Sequence, residues 1–134
     1  DANAVAPGKR PLSSMTPVIL LRDGKPWLAT GSPGGARIIT TVLQNIVNII
    51  DFDMNIAEAA SVPRMHHQWT PDFIRVERGF SPDTLKLLET MGHSVKVMPT
   101  MGRIQTVQRS GNLFMGASDP RNPDGAPIGI DQRK

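Results

Sequence analysis

No cysteine occurs anywhere in the 134 residues, which excludes disulfide frameworks, thiolate zinc sites and cysteine nucleophiles. The compartment stays open, because an exported protein can lack disulfides. Aromatic side chains are few, four Phe and two Trp, and the 15 Lys and Arg are scattered among 12 Asp and Glu. A nucleic-acid surface needs clustered cations with stacking rings, so the net charge of +3 reads as a mildly basic solvated surface. No stretch approaches the roughly 18 apolar residues of a membrane span, and no signal peptide opens the chain. The remainder is ordinary soluble composition, 39% hydrophobic and 20% charged. That is one domain's worth of chain, 1–134, with no repeat and no dividing linker. Because it opens on Asp1-Ala2-Asn3 without an initiator Met, the expectation is a processed product or a piece of something longer.

Residues 1–16 carry Pro7, Gly8 and Pro11 and read as an irregular lead-in. Val18 to Leu21 form an apolar run, Asp23-Gly24 is a hairpin signal, and Trp27 to Thr30 supply a return strand. Past Ala36 the period changes. Ile39, Val42, Leu43, Ile46, Val47 and Ile50 recur at three and four residues, predicting a helix with a broad packed face. Its β-branched content means that burial, not propensity, holds it. Asn55 and Glu58 form a capping-box pattern for a short helix that Pro63 stops. Phe73, Ile74 and Val76 suggest a strand. Ser81 as N-cap, Pro82 and Asp83 in the first turn and Gly92 as the stop define a further helix. Strands are predicted at 95–98, 104–109 and 113–117, and a Pro/Gly-rich tail, 119–134, is expected to lie on the surface or fray. The order predicts an α/β (α+β) sandwich with helices on one face of a mostly antiparallel sheet. Should the other face also be apolar, a second sheet must cover it.

Two motifs carry chemistry. Gly31-Ser32-Pro33-Gly34-Gly35 lies between a strand and a helix. First-turn N–H groups lack intrahelical acceptors, and a glycine backbone admits close approach, so Gly34 and Gly35 could hold an oxyanion or merely turn a corner. Ala36-Arg37 stands where a P-loop would need Lys-Ser/Thr, and the spacing does not fit a dinucleotide fingerprint. Ser13 and Ser14, beside Lys9 and Arg10, offer hydroxyls suited to a carboxylate, or a simple serine turn. His66-His67 read as packing or surface residues, since neighbours on an extended segment point opposite ways; no metal or cofactor is expected. Asp72, Glu77, Asp119 and Asp124 show no pairing that suggests acid/base work. Met91, Met98, Met101 and Met115 read as core filler.

The segments KRPLSSMTPVILLRDGKPWLATGSPGGARIITTVLQNIVNIIDF, NIAEAASVPRMHHQW, GFSPDTLKLLETMGH and GASDPRNPDGAPIG, in that order, resemble the carboxy-terminal part of γ-glutamyltranspeptidase, an N-terminal nucleophile hydrolase. The resemblance implies an αββα sandwich and transfer of the γ-glutamyl group of glutathione to water, an amino acid or a peptide through a threonyl acyl-enzyme. It implies that Gly34 and Gly35 bind the oxyanion through backbone N–H groups, and that Ser13 and Ser14 bind the substrate's α-carboxylate. It also implies a periplasmic or secreted location. The family's nucleophile is an amino-terminal threonine upstream of PLSSM, and no threonine here is amino-terminal. The resemblance therefore further implies partners: a large subunit and the earlier part of the small subunit. The isolated chain is then expected to be inactive. A non-catalytic anion-binding module and a structural sandwich piece are the alternatives.

Overall fold

The computed structural model describes residues 4–130; residues 1–3 of the lead-in and 131–134 of the tail lie outside the described residues. Strand β1 (Val18–Arg22) turns at Asp23-Gly24 into β2 (Lys25–Gly31), as the hairpin signal predicts. A 3-10 turn over Gly35–Arg37 leads into α1 (Ile38–Ile50), followed by α2 (Ile56–Ser61). Asn55 caps α2 by accepting from Ala57 and Glu58 N–H, while the Glu58 carboxylate accepts from Asn55 N–H. Two short strands follow, β3 (Met65–His66) and β4 (Ile74–Val76), then α3 (Pro82–Thr90), β5 (Val95–Val97), β6 (Gln105–Ser110) and β7 (Leu113–Ser118). Ser81 stands at the start of α3, but its side chain makes no capping bond; there Pro82 presets the first-turn backbone instead.

Strands β1, β2, β6 and β7 form one antiparallel sheet in that order. A smaller sheet, β3-β4-β5, joins an antiparallel pair to a parallel one. Its strands β4 and β5 fall where the sequence predicts strands; β3 and the pairing of the three were not legible, since a two-residue strand carries no period. Helices α1 and α2 cover one face of the larger sheet, where Leu28, Ile49, Ile56, Ala59 and Ala117 form one core and Val42, Ala60 and Ile104 another. Between them α1 is held by polar bonds: Asn45 Nδ2 donates to Thr30 Oγ1 at 3.1 Å and Thr106 Oγ1 at 3.2 Å, and these two hydroxyls meet at 3.0 Å.

The sheet's other face is apolar as well. Ile19, Ala29, Val107 and Gly116 pair directly across the four strands, and Ile19 and Val107 are 67% and 47% exposed. The helix face also departs from expectation: Val42 is buried and Ile46 packs against the Val42, Ala60 and Ile104 core, whereas Ile39, Leu43 and Ile50 are exposed. Among the methionines only Met101 is core; Met98 is half-buried, and Met91 and Met115 are exposed. No helix among the described residues is long and apolar enough to cross a membrane.

Candidate functional site

The hairpin register decides where the two motifs stand. Val18 pairs with Thr30, and a Cβ built on Gly31 would lie 4.0 Å from Pro17 Cα. Ser14 is four residues before Val18 and Gly34 four residues after Thr30. Antiparallel pairing therefore sends the serine segment and the glycine segment away from the same end of the sheet. The start of β6 and the end of β7 belong to that end too, because Gln105 pairs with both Gly31 and Ser118.

Gly34 has φ 149° and Gly35 φ 59°, conformations that side-chain-bearing residues adopt only at a cost. Their carbonyls are used, Gly34 O accepting from Arg37 N–H at 3.3 Å and Gly35 O from Ile38 N–H. Their own N–H groups meet no acceptor among the described residues. Nothing lies within 4 Å of where a Gly35 Cβ would stand. The loop is fixed from behind. Ser32 Oγ donates to Pro33 O at 2.7 Å and accepts from Arg103 N–H at 2.8 Å. Gly102, at φ 69°, sits so close that a Cβ there would come within 2.7 Å of Thr41 Cγ2 and 2.8 Å of Ser32 Oγ. Ser32 and Gly102 escaped the sequence reading because a loop serine and a loop glycine have no local signature of what they touch.

Ser13 is exposed, its Oγ accepting from Met15 N–H at 3.2 Å in a serine turn. The bond uses the oxygen as acceptor and leaves the hydroxyl proton to be donated outward. Ser14 is half-buried, and its carbonyl accepts from Thr16 Oγ1 at 2.9 Å.

Elsewhere the structure gives two of the carboxylates a partner set that the sequence did not show. Glu77 and Asp119, far apart in sequence, meet in a buried network with Arg64 and Arg121. Asp119 Oδ2 receives Arg64 at 2.7 Å and Ile104 N–H at 2.8 Å, and its Oδ1 receives Arg121 at 3.0 Å. Glu77 Oε2 receives Arg121 at 2.5 Å, and its Oε1 receives Met101 N–H. Both arginines also donate to the carbonyl end of α2, at Ala60 O. Burial pushes the Asp119 carboxyl up, but N–H bonds from Arg121 and Ile104 and the Arg64 guanidinium outweigh it and hold the group below its ordinary range. Burial pulls Arg64 down, while bonds to Glu77 and Asp119 outweigh burial at Arg121 and raise it. This anchors the first residues of the supposed tail. Each charge here is matched, which marks a structural joint and not an acid/base pair.

His66 is buried, with Nδ1 2.7 Å from Thr40 Oγ1 and Nε2 2.9 Å from Gln68 Oε1. His67 is exposed beside Asp72 at 3.1 Å. Among the described residues no group of three His, Cys, Asp or Glu is arranged to hold a metal.

Comparison with known proteins completes the description. The family model for gamma-glutamyltranspeptidase matches residues 1–129. The chain is 60% identical over 131 residues to the glutathione hydrolase proenzyme of Escherichia coli (strain K12), covering 96% of this chain and 22% of that protein. It is 41% identical to the glutathione hydrolase proenzyme of Bacillus subtilis (strain 168), covering 99% and 23%. It thus spans under a quarter of the length of these relatives. In solved structures, a gamma-glutamyltranspeptidase mutant from Helicobacter pylori superposes with TM-score 0.84 at 49% identity, over 90% of this chain and 68% of that one. The Pseudomonas nitroreducens gamma-glutamyltranspeptidase complexed with L-DON gives 0.83 at 38% identity, over 99% and 69%.

Proposed function

This chain belongs to the γ-glutamyltranspeptidase family, and on that premise we propose that it forms the oxyanion-binding and carboxylate-binding part of a glutathione hydrolase. The observation that carries the reading is the pair of unpartnered N–H groups at Gly34 and Gly35, at the sheet end toward which Ser13 and Ser14 also lead. When a nucleophile adds to the γ-glutamyl carbonyl, its π electrons move to oxygen. Two fixed donors stabilise that charge without reorganising, each worth about 3–4 kcal/mol in the transition state. Collapse of the intermediate expels the amine and leaves an acyl-enzyme, which water or an acceptor amine then cleaves. Ser13 and Ser14 donate to the α-carboxylate and so fix the carbonyl against the donors.

The attacking threonine, with its own α-amine as base, comes in this proposal from sequence outside the chain, as do the large subunit and the groups that hold the substrate's amine. The exposed apolar row Ile19, Ala29, Val107 and Gly116 and the exposed apolar side chains of α1 support that division. Apolar side chains left exposed on a sheet face and on a helix are the kind of surface that a larger body covers. A periplasmic or secreted location is part of the same proposal, and cell fractionation tests it.

The deciding experiment is Gly34→Ala in the full-length protein, assayed with a γ-glutamyl anilide. At φ 149° a Cβ forces the loop to another conformation and turns the N–H vectors. We expect kcat to fall on the order of 100-fold, with the circular dichroism spectrum retained. An unchanged kcat removes the oxyanion assignment.

A further inference from the structure

We propose that this chain carries a second anion site, a cavity of about 200 Å³ walled by Arg37, His66, Gln68, Pro71, Phe73 and Arg75, which binds one small oxyanion, a carboxylate or inorganic phosphate. The site stands on its own residues and needs nothing from the γ-glutamyl reading.

The small sheet brings the charges together. Parallel pairing sets the cation Arg75 opposite the cation Lys96, and antiparallel pairing sets the His66 ring beside Arg75 as a wall. Residues paired directly across strands share a face, where like charges repel. Arg37 adds a further cation from the 3-10 turn. Lys96 Nζ lies 4.4 Å from the centroid of the Phe73 ring, which forms one wall of the cavity. No carboxylate is among the lining residues. The positive charge is therefore gathered without a counter-charge, the reverse of the Arg64 and Arg121 network.

The orphaned donors point the same way. Nε of Arg37 and Nε of Arg75 are both buried and lack any hydrogen-bond partner. Native folds rarely leave such groups unmatched. Arg75 is held in position, its Nη2 donating to Pro99 O at 2.8 Å, while its Nε–H remains to be satisfied. His66 is wall rather than ligand, because both its ring nitrogens are engaged by Thr40 and Gln68. Two planar guanidinium forks suit an oxyanion, whose oxygens accept paired N–H bonds. At about 200 Å³ the cavity is below the range of drug-sized ligands, which excludes a tripeptide and leaves an ion of acetate or phosphate size. Arg37 follows Gly35 by two residues and stands at the start of α1, so a bound ion would hold the chain just after the glycine loop.

The test uses the full-length protein carrying this chain, titrated with inorganic phosphate and separately with acetate, chloride holding the ionic strength constant. Calorimetry and thermal melts are read together. We expect saturable binding of at least one of the two anions with a rise in Tm. Affinity should fall at least tenfold in Arg75→Gln and in Arg37→Gln, and less in Arg75→Lys, which keeps charge but loses the fork. Should Arg75→Gln fail to fold, Arg37→Gln decides. Absence of saturable binding by the folded wild type overturns the proposal. Unchanged affinity in both Gln variants overturns it too, and loss of binding in Gly34→Ala alone would assign the ion to the glycine loop instead. Activity is not the readout, so failure of the γ-glutamyl reading leaves this result independent.

Discussion

Around Glu77 and Asp119 the polar groups are matched: two carboxylates, two guanidiniums, the carbonyl end of α2 and four backbone N–H groups satisfy one another in the interior. At the glycine loop the opposite holds, for the backbone is held from behind by Ser32, Gly102 and Arg103 while two N–H groups at its front meet nothing. Both regions are ordered by specific contacts, so order alone does not separate structural from functional polarity. What separates them is whether the donors are consumed. A satisfied buried network holds elements together, whereas a rigid loop with unspent donors is pre-organised for something that arrives later.

The comparison breaks most sharply at Asp119. Asp119→Ala leaves Arg64, itself 2% exposed, without its partner carboxylate, and removing one member of a buried pair costs about 3–5 kcal/mol. Against a typical total of about 5–15 kcal/mol, we expect a large fall in the urea midpoint. A change under 1 kcal/mol would mean that the network is ornamental. Acid sharpens the same point. Because Asp119 is held below its ordinary range when folded, it contributes stability above the unfolded carboxylate value of about 3.9. That contribution is lost as pH falls from there through the depressed folded value. Asp119→Asn should therefore be destabilised at neutral pH and lose less further stability than wild type on acidification, as read by circular dichroism.

Next in size comes Gly102→Ala, whose Cβ must displace Thr41 and Ser32. Overpacking of this kind costs about 1–3 kcal/mol, and in the full-length protein kcat should fall with it because Gly34 backs onto Gly102. Normal kcat with reduced Tm would uncouple the two loops. The smallest stability effect belongs to Ser13→Ala, within about 0.5 kcal/mol for an exposed surface change. Its expected signature is a raised KM for the γ-glutamyl substrate, and an unchanged KM would remove Ser13 from the site.

Much of the fold was legible in the sequence where the signal is local. Asp23-Gly24 announced the hairpin and Asn55 with Glu58 the capped helix, since each motif satisfies its own backbone within a few residues. The capping rule failed at Ser81, where chemistry permitted a bond that the geometry does not make. The candidate site was legible in part. Gly34, Gly35, Ser13 and Ser14 stood out by type and spacing, but Ser32 and Gly102 did not, because their roles lie in contacts across 70 residues of chain.

By itself the sequence determined the hairpin, the capped helix, the order of the long strands and the residue types at the glycine loop, because turn chemistry and periodicity act between near neighbours. Only the tertiary structure decided that Arg64, Glu77, Asp119 and Arg121 share one interior, that Arg37 and Arg75 face one cavity, and that the serine and glycine motifs leave the same end of a sheet. Those outcomes depend on which distant surfaces exclude water together. A charge carries no mark along the chain of the partner that will neutralise it.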